Sequence, residues 1–248
     1  MKNPTILIIK TGSTYRDVRT TTGDFDVWIQ NATNHPEVVW KVKPVEKVEP
    51  DKIHSYDGVI LTGAHLSLTQ PYPYLEGMKR LVDNILKNQV PTLGICFGHQ
   101  LINKILGGEV ITNPLGIEMG ITKLQFTLHG LTDPLFEGLL PAKTEVYSSH
   151  NDIVSKIADG VVPLAKSDRT QYQATRYGRC IFTVQFHPEY NREIMEMYIR
   201  REFNRIKADH LRNPLNSLPP QEILNRNRDL QKSRKILDNF ITIVSESK

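Results

Sequence analysis

Cysteine is nearly absent. The 248 residues hold two, Cys96 and Cys180, and neither belongs to a C-x-x-C pair. That excludes a disulfide framework and favours a reducing compartment. Long apolar runs are also missing. No segment approaches the roughly 20 residues needed to span a membrane. The N-terminal "MKNPTILIIKTG" has too short an apolar run for a signal peptide, and Thr11 and Gly12 end it like a strand. A cytoplasmic protein with no membrane contact is the expectation. Blocks of one charge sign are lacking too. The net charge is +4 with 23% charged residues, and no basic block offers nucleic acid a footprint. The Lys and Arg residues after Arg192 read as solvated helix faces. His129, His150 and His187 show no metal-ligand spacing, and there is no Walker-type G-x-x-x-x-G-K-[ST] loop. No metal and no cofactor are expected.

What is there alternates between two periodicities. "TILIIK", "EVVWKVKP", "YDGVILTG" and "VPTLGIC" read as strands, the first continuous enough to be covered on both faces. Between them Leu75, Met78, Leu81, Val82, Ile85 and Leu86 have helical spacing, and "GHQLINKILGG" reads as a helix closed by glycines. Alternation of this kind predicts an α/β fold with a mostly parallel sheet between helices. From Glu109 to about Val184 come shorter strands, "ITKLQFT", "TEVYSS", "QYQATRYG" and "CIFTVQF", with "RYGR" as a hairpin turn. They predict a small additional antiparallel region. "NREIMEMYIRREFNRIK" reads as one amphipathic helix, "NPLNSLPP" as a linker, and Gln221–Val244 as one final helix. Residues 1–212 are expected to form one domain. Residues 213–248 would be a linker and a helix packed on it, with a dimer element as the alternative.

The scarce cysteine sits at a cramped place. In G-I-C-F-G it follows a strand and precedes a helix, the form of a nucleophile elbow whose serine version is G-x-S-x-G. Gly94 and Gly98 lack Cβ atoms, so backbone can pack close to the turn. The helix start places unpaired N–H groups and a positive dipole end beside the sulfur, which favours the nucleophilic thiolate. The N–H of Phe97 is placed to donate to an oxyanion. A small buried cysteine in a tight turn is the competing reading. A nucleophile needs a base, and the base an orienting group. In "VQFHPEY" the extended period of two points His187 and Glu189 to one side, with Pro188 stiffening the link. An exposed loop histidine beside an acid is the alternative.

Together these motifs resemble the class I glutamine amidotransferase family, Cys-His-Glu glutaminases on a flavodoxin-like sheet. The resemblance runs from about Asp57 to Tyr190. "GVILTGAHLSL" resembles the oxyanion loop, "GICFGHQL" the elbow, "SSHND" the glutamine-pocket segment and "VQFHPEY" the base, in the family's order. It implies that Cys96 attacks the carboxamide of glutamine and forms a γ-glutamyl thioester. His187 would be the base and then the acid for departing ammonia, and Glu189 would orient it. Gly63, Ala64 and Phe97 would form the oxyanion site. Gln100, Ser149 and His150 would meet bound glutamine. The loop Thr62-Gly63-Ala64-His65 departs from the common Gly-Gly-Pro form. A positive φ at Ala64 would cost about 1–2 kcal/mol, whereas a negative φ leaves its N–H free to serve without strain.

The resemblance leaves the use of the chemistry open. One reading is a glutaminase that passes ammonia to a synthetase in trans. A second is a γ-glutamyl peptide hydrolase. A third is a catalytically silent glutamine-binding protein, against which the intact Cys96, His187 and Glu189 argue. "GSTYRDVRTTTGDFDVWIQ" reads as a long polar segment at the active-site edge, lining a pocket for a larger substrate or forming a partner surface.

Overall fold

The computed structural model describes residues 3–139 and 144–247. The central sheet is built on strands β1 (Thr5–Lys10), β2 (Val39–Pro44), β3 (Gly58–Leu61) and β4 (Thr92–Ile95), all mutually parallel. They lie in the order β2-β1-β3-β4 and continue into β12 (Ile181–Val184), also parallel. This is the flavodoxin-type order, whose ligands sit at the carboxyl ends of the strands. Beyond β12 the sheet turns antiparallel through β11 (Ala174–Tyr177), β10 (Val161–Lys166) and β7 (Gln125–Phe126). The turn between β11 and β12 contains Gly178 at φ +59°, the position that needs a glycine in this hairpin.

Both faces of the sheet are apolar, as "TILIIK" requires. Ile6 and Ile8 face one layer, Leu7 and Ile9 the other. The second layer is α3 (Leu75–Asn88) and α4 (Phe97–Ile105), with Met78, Leu81, Val82, Ile85, Leu101 and Ile102 buried. The opposite face is covered by α8 (Lys235–Glu246), through Ile236, Leu237, Phe240, Ile241 and Val244. Each such fully buried side chain contributes about 1.5–3 kcal/mol of transfer free energy. In this chain α8 is therefore a layer of the core.

Several elements differ from the sequence reading. Gln221–Val244 is not one helix: α7 (Pro220–Arg226) is separate from α8. Ile223 packs into the cluster around α5 (Arg192–Arg201), while α8 packs under the sheet, and one straight rod cannot reach both places. The amphipathic stretch after His187 also breaks, at Glu202 (φ −87°, ψ 9°), into α5 and α6 (Phe203–Arg212). The polar stretch Gly12–Gln30 holds two short helices, α1 (Arg16–Thr22) and α2 (Phe25–Asn31), which bury Val18, Phe25, Trp28 and Ile29. The antiparallel region includes two further pairs. β5 (Glu109–Thr112) pairs with β9 (Asp152–Lys156), and β6 (Glu118–Lys123) with β8 (Glu145–His150). Among the described residues no helix is long and apolar enough to cross a membrane, and no cluster of three His, Cys, Asp or Glu forms a metal site.

Candidate active site

Cys96 sits at the carboxyl end of β4 with φ 51° and ψ −99°, in front of α4. It is one of two non-glycine residues with positive φ among those described, the other being Gln89 at the end of α3. Such a conformation costs about 1–3 kcal/mol and persists only where its surroundings enforce it. Here they do. A Cβ on Gly94 would stand 2.8 Å from the Gly98 carbonyl, and one on Gly98 would stand 2.7 Å from the Leu61 carbonyl oxygen. The Cys96 N–H donates to Val184 O at 2.8 Å, tying the elbow to β12. Phe97 begins α4, so its N–H is one of the first-turn donors without an intrahelical acceptor.

That tie explains how distant motifs meet. β4 and β12 run parallel with Ile95 opposite Val184, so the chain leaves both strands at the same edge. His187 follows and donates its N–H to Tyr147 O at 2.8 Å, which fixes the loop against β8. Its Nδ1 lies 2.7 Å from Glu189 Oε1, and both side chains are buried. The sulfur of Cys96 is near enough to act on the charge of its ring. Burial alone would lower the pKa of His187. The carboxylate of Glu189 and the sulfur of Cys96 outweigh it and push the value up to about 10. The ring stacks on Tyr190, centroids 4.1 Å apart, and has Phe25 beyond at 6.3 Å.

The oxyanion candidates lie against this ring. A Cβ on Gly63 would come 3.1 Å from His187 Cε1, so the loop and the imidazole are in contact. Ala64 has no positive φ, and the unusual Thr-Gly-Ala-His loop carries no strain there. Ala64, Phe97 and Cys96 all line one cavity of about 280 Å³. Gln100, Ser149 and His150 line it too, so the structure gathers these predicted residues around the sulfur. They present different groups. Gln100 donates from Nε2 to Asp152 O at 2.8 Å and to Gln185 Oε1 at 3.1 Å. Ser149 offers its carbonyl, 4.0 Å from Cys96 Sγ. The His150 ring is buried with Nε2 3.3 Å from Glu118 Oε2. Burial would raise the carboxyl of Glu118, but His150, Thr170 and Ser167 lower it to about 2.

Some neighbours were missed from the sequence. Gln185 Nε2 points at Cys96 Sγ, 3.7 Å away, and so links Gln100 to the sulfur. Its signal was present: it lies two residues before His187, at the strand period that joins His187 to Glu189. Asp152 faces the cavity and accepts from Thr112 Oγ1 at 3.1 Å and from Ser67. His65 and Tyr15 stack at 3.9 Å on the cavity wall. No pattern in the sequence announces that stack.

The family model for class I glutamine amidotransferases matches residues 26–206. This chain belongs to the class I glutamine amidotransferase family. It is 33% identical over 170 residues to a glutamine-hydrolysing GMP synthase subunit of Methanocaldococcus jannaschii, covering 66% of this chain and 82% of that one. It is 26% identical over 185 residues to γ-glutamyl peptidase 5 of Arabidopsis thaliana, covering 73% and 74%. Against the full GMP synthase of Nitratiruptor sp. it spans only 30% of the relative's length. A crystal structure of a glutamine amidotransferase from Methylobacillus flagellatus superposes with a TM-score of 0.75 at 19% identity, over 99% of this chain and 95% of the other, a likeness of fold.

Proposed function

We propose that this protein hydrolyses the γ-carboxamide of glutamine through a thioester on Cys96. The observation that carries this reading is the buried His187–Glu189 pair, whose charge the sulfur of Cys96 also supports, with Cys96 lining a cavity. The sulfur gives up its proton to His187, whose positive charge is held by Glu189 and the sulfur together. The thiolate attacks the carboxamide carbon. The N–H groups of Phe97 and Ala64 stabilise the oxyanion, with Gly63 letting the loop approach the imidazole. His187 then protonates the departing nitrogen and ammonia leaves. Water, deprotonated by His187, attacks the thioester and releases glutamate. Gln100 and the Ser149–His150 segment hold the amino-acid end of the substrate, and no cofactor takes part.

The ammonia is passed to a synthetase in trans. The support is the likeness to the Methanocaldococcus jannaschii chain, which by name is one subunit of its synthase and not the whole of it. The test is ammonia and glutamate release from glutamine by the purified chain and its Cys96→Ala variant. Release that survives in the variant sinks the thioester mechanism.

A further inference from the structure

The back of the His187–Glu189 loop is built by a part of the chain that carries none of the four motifs. Between α7 and α8, the segment 227–234 is tied to this loop and its supports. Asn227 donates from Nδ2 to Arg192 O at 2.9 Å, at the start of α5. The Tyr147 hydroxyl donates to Arg228 O at 2.6 Å, and the Tyr147 carbonyl is the group that receives the His187 N–H. Ser233 is fully buried and donates from Oγ to Leu230 O at 2.7 Å. Arg234 follows it, and Ile236 and Leu237 just beyond are buried in the core. The backbone on both sides of Arg234 is therefore fixed.

Arg234 faces a second cavity, of about 150 Å³, whose lining includes Thr22, Asn31, Glu189 and Asn191. Glu189 spends Oε1 on His187 Nδ1. Its other oxygen, Oε2, is buried and meets no hydrogen-bond donor among the described residues. A carboxylate oxygen so placed demands a partner, because no bulk water reaches it. The cavity wall supplies donors, and the cavity has room for water that would bridge them to Oε2. Asn191 accepts the Ile194 N–H on Oδ1 at 2.8 Å, which leaves its amide N–H groups. Arg234 is half-buried and brings the only positive charge among the described lining residues. Other carboxylates compete for it. Glu193 lines the same cavity, and Glu196 and Asp229 border an open groove on the other side of Arg234. Glu193 and Asp229 are exposed, where an ion pair is worth little, and Glu196 already holds Arg200 at 2.7 Å. The buried oxygen of Glu189 is the acceptor in greatest need.

From this placement we propose that Arg234 is a positioning residue for the catalytic pair: across the rear cavity its guanidinium holds the free oxygen of Glu189, and so keeps the other oxygen turned to His187. The proposal rests on the thioester reading above and adds to it a residue outside the motifs. Arg234 touches neither substrate nor sulfur. It acts through Glu189, and its effect falls on the chemical step rather than on glutamine binding.

The experiment is a cycle of four full-length proteins assayed on glutamine: wild type, Arg234→Gln, Glu189→Gln and the double variant. In Arg234→Gln, kcat is expected to fall about tenfold with KM unchanged, the worth of one hydrogen bond between charged groups. Arg234→Lys should recover most of the loss. In the Glu189→Gln background the same Arg234→Gln change should cost no more than about twofold, since the partner is already neutral. A second readout does not depend on turnover. The His187 Nδ1–H bonded to Glu189 gives a low-field proton resonance, identified by its absence from His187→Gln. It should move upfield in Arg234→Gln. An unmoved resonance overturns the proposal and leaves the thioester reading standing, and so does a kcat in Arg234→Gln equal to wild type. An equal loss in both backgrounds overturns it as well, because Arg234 would then act other than through Glu189. Ammonia release that persists in Cys96→Ala overturns the thioester reading, and with it the role assigned to Arg234.

Discussion

His187 and His99 are both buried, and both stand close to the carboxyl edge of the same sheet. His99 lies in the first turn of α4, where Nδ1 meets the Thr183 hydroxyl at 2.7 Å. Its neighbourhood offers hydroxyls and amides, and burial, reinforced by the charge of His150, drives its pKa down to about 3. His187 is equally dry but meets a carboxylate and a sulfur, and its pKa rises to about 10. Burial alone makes an imidazole neutral and inert. Burial beside Glu189 makes it a proton carrier. The difference is one of partners, and it separates a packing residue from a candidate base.

The comparison breaks most visibly if His187 is given surroundings like those of His99. Glu189→Gln keeps the shape and removes the charge. Its expected effect is a fall of about 10³–10⁴ in kcat, the size seen when the acidic member of a hydrolase triad is neutralised. NMR titration of the His187 ring should show its pKa moving down in the same variant. Retention of both activity and pKa would mean that the carboxylate is only packing. The reverse change concerns His99. His99→Leu removes one partner of the buried Thr183 hydroxyl, which keeps Thr175 and Asn103, and should cost about 1 kcal/mol in urea unfolding. Turnover should change far less than in Glu189→Gln.

A smaller effect is expected at Gln185, which touches the sulfur and Gln100 but holds no proton in the mechanism. Gln185→Leu should raise KM for glutamine by about fivefold, the worth of one hydrogen bond near 1 kcal/mol. Steady-state kinetics that show a collapse in kcat instead would place Gln185 among the reacting groups.

The smallest contrast is in pH dependence. The folded-state pKa of His187 is above its unfolded value, so its stabilisation is full below about pH 6.5 and is lost as pH rises through about 10. For His99 the folded value is below the unfolded one. The unfolded chain takes up a proton that the folded chain refuses, and stability falls as pH drops from about 6.5 towards 3. Urea midpoints across pH should therefore decline on both sides. His187→Gln should flatten the alkaline limb, and His99→Leu the acid limb. The opposite assignment of limbs would reverse the comparison.

The sequence made the sheet legible because β1, β3 and β4 are buried on both faces and so read as unbroken apolar runs. The elbow was legible for a local reason, since its glycines and strand-to-helix turn occupy five consecutive residues. His187 and Glu189 were legible from a period of two. The stack of Tyr15 on His65 was not, because it joins the start of α1 to the loop after β3, and contacts of that kind leave no periodic trace. The break at Glu202 and the split of the last helix were also hidden. Amphipathic spacing says that a face is buried, but not that two successive stretches are buried against different parts of the core.

The most direct test uses the two cysteines. A glutamine analogue with a diazomethyl ketone in place of the carboxamide alkylates a thiolate held where the γ-carbonyl would sit. Peptide mapping by mass spectrometry should find a single adduct on Cys96, suppressed by excess glutamine and absent in Glu189→Gln at short times. Cys180 is also buried, but stands outside the site and should remain unmodified. No adduct on Cys96, or equal labelling of both cysteines with no protection by glutamine, would contradict the assignment of Cys96 as the activated nucleophile.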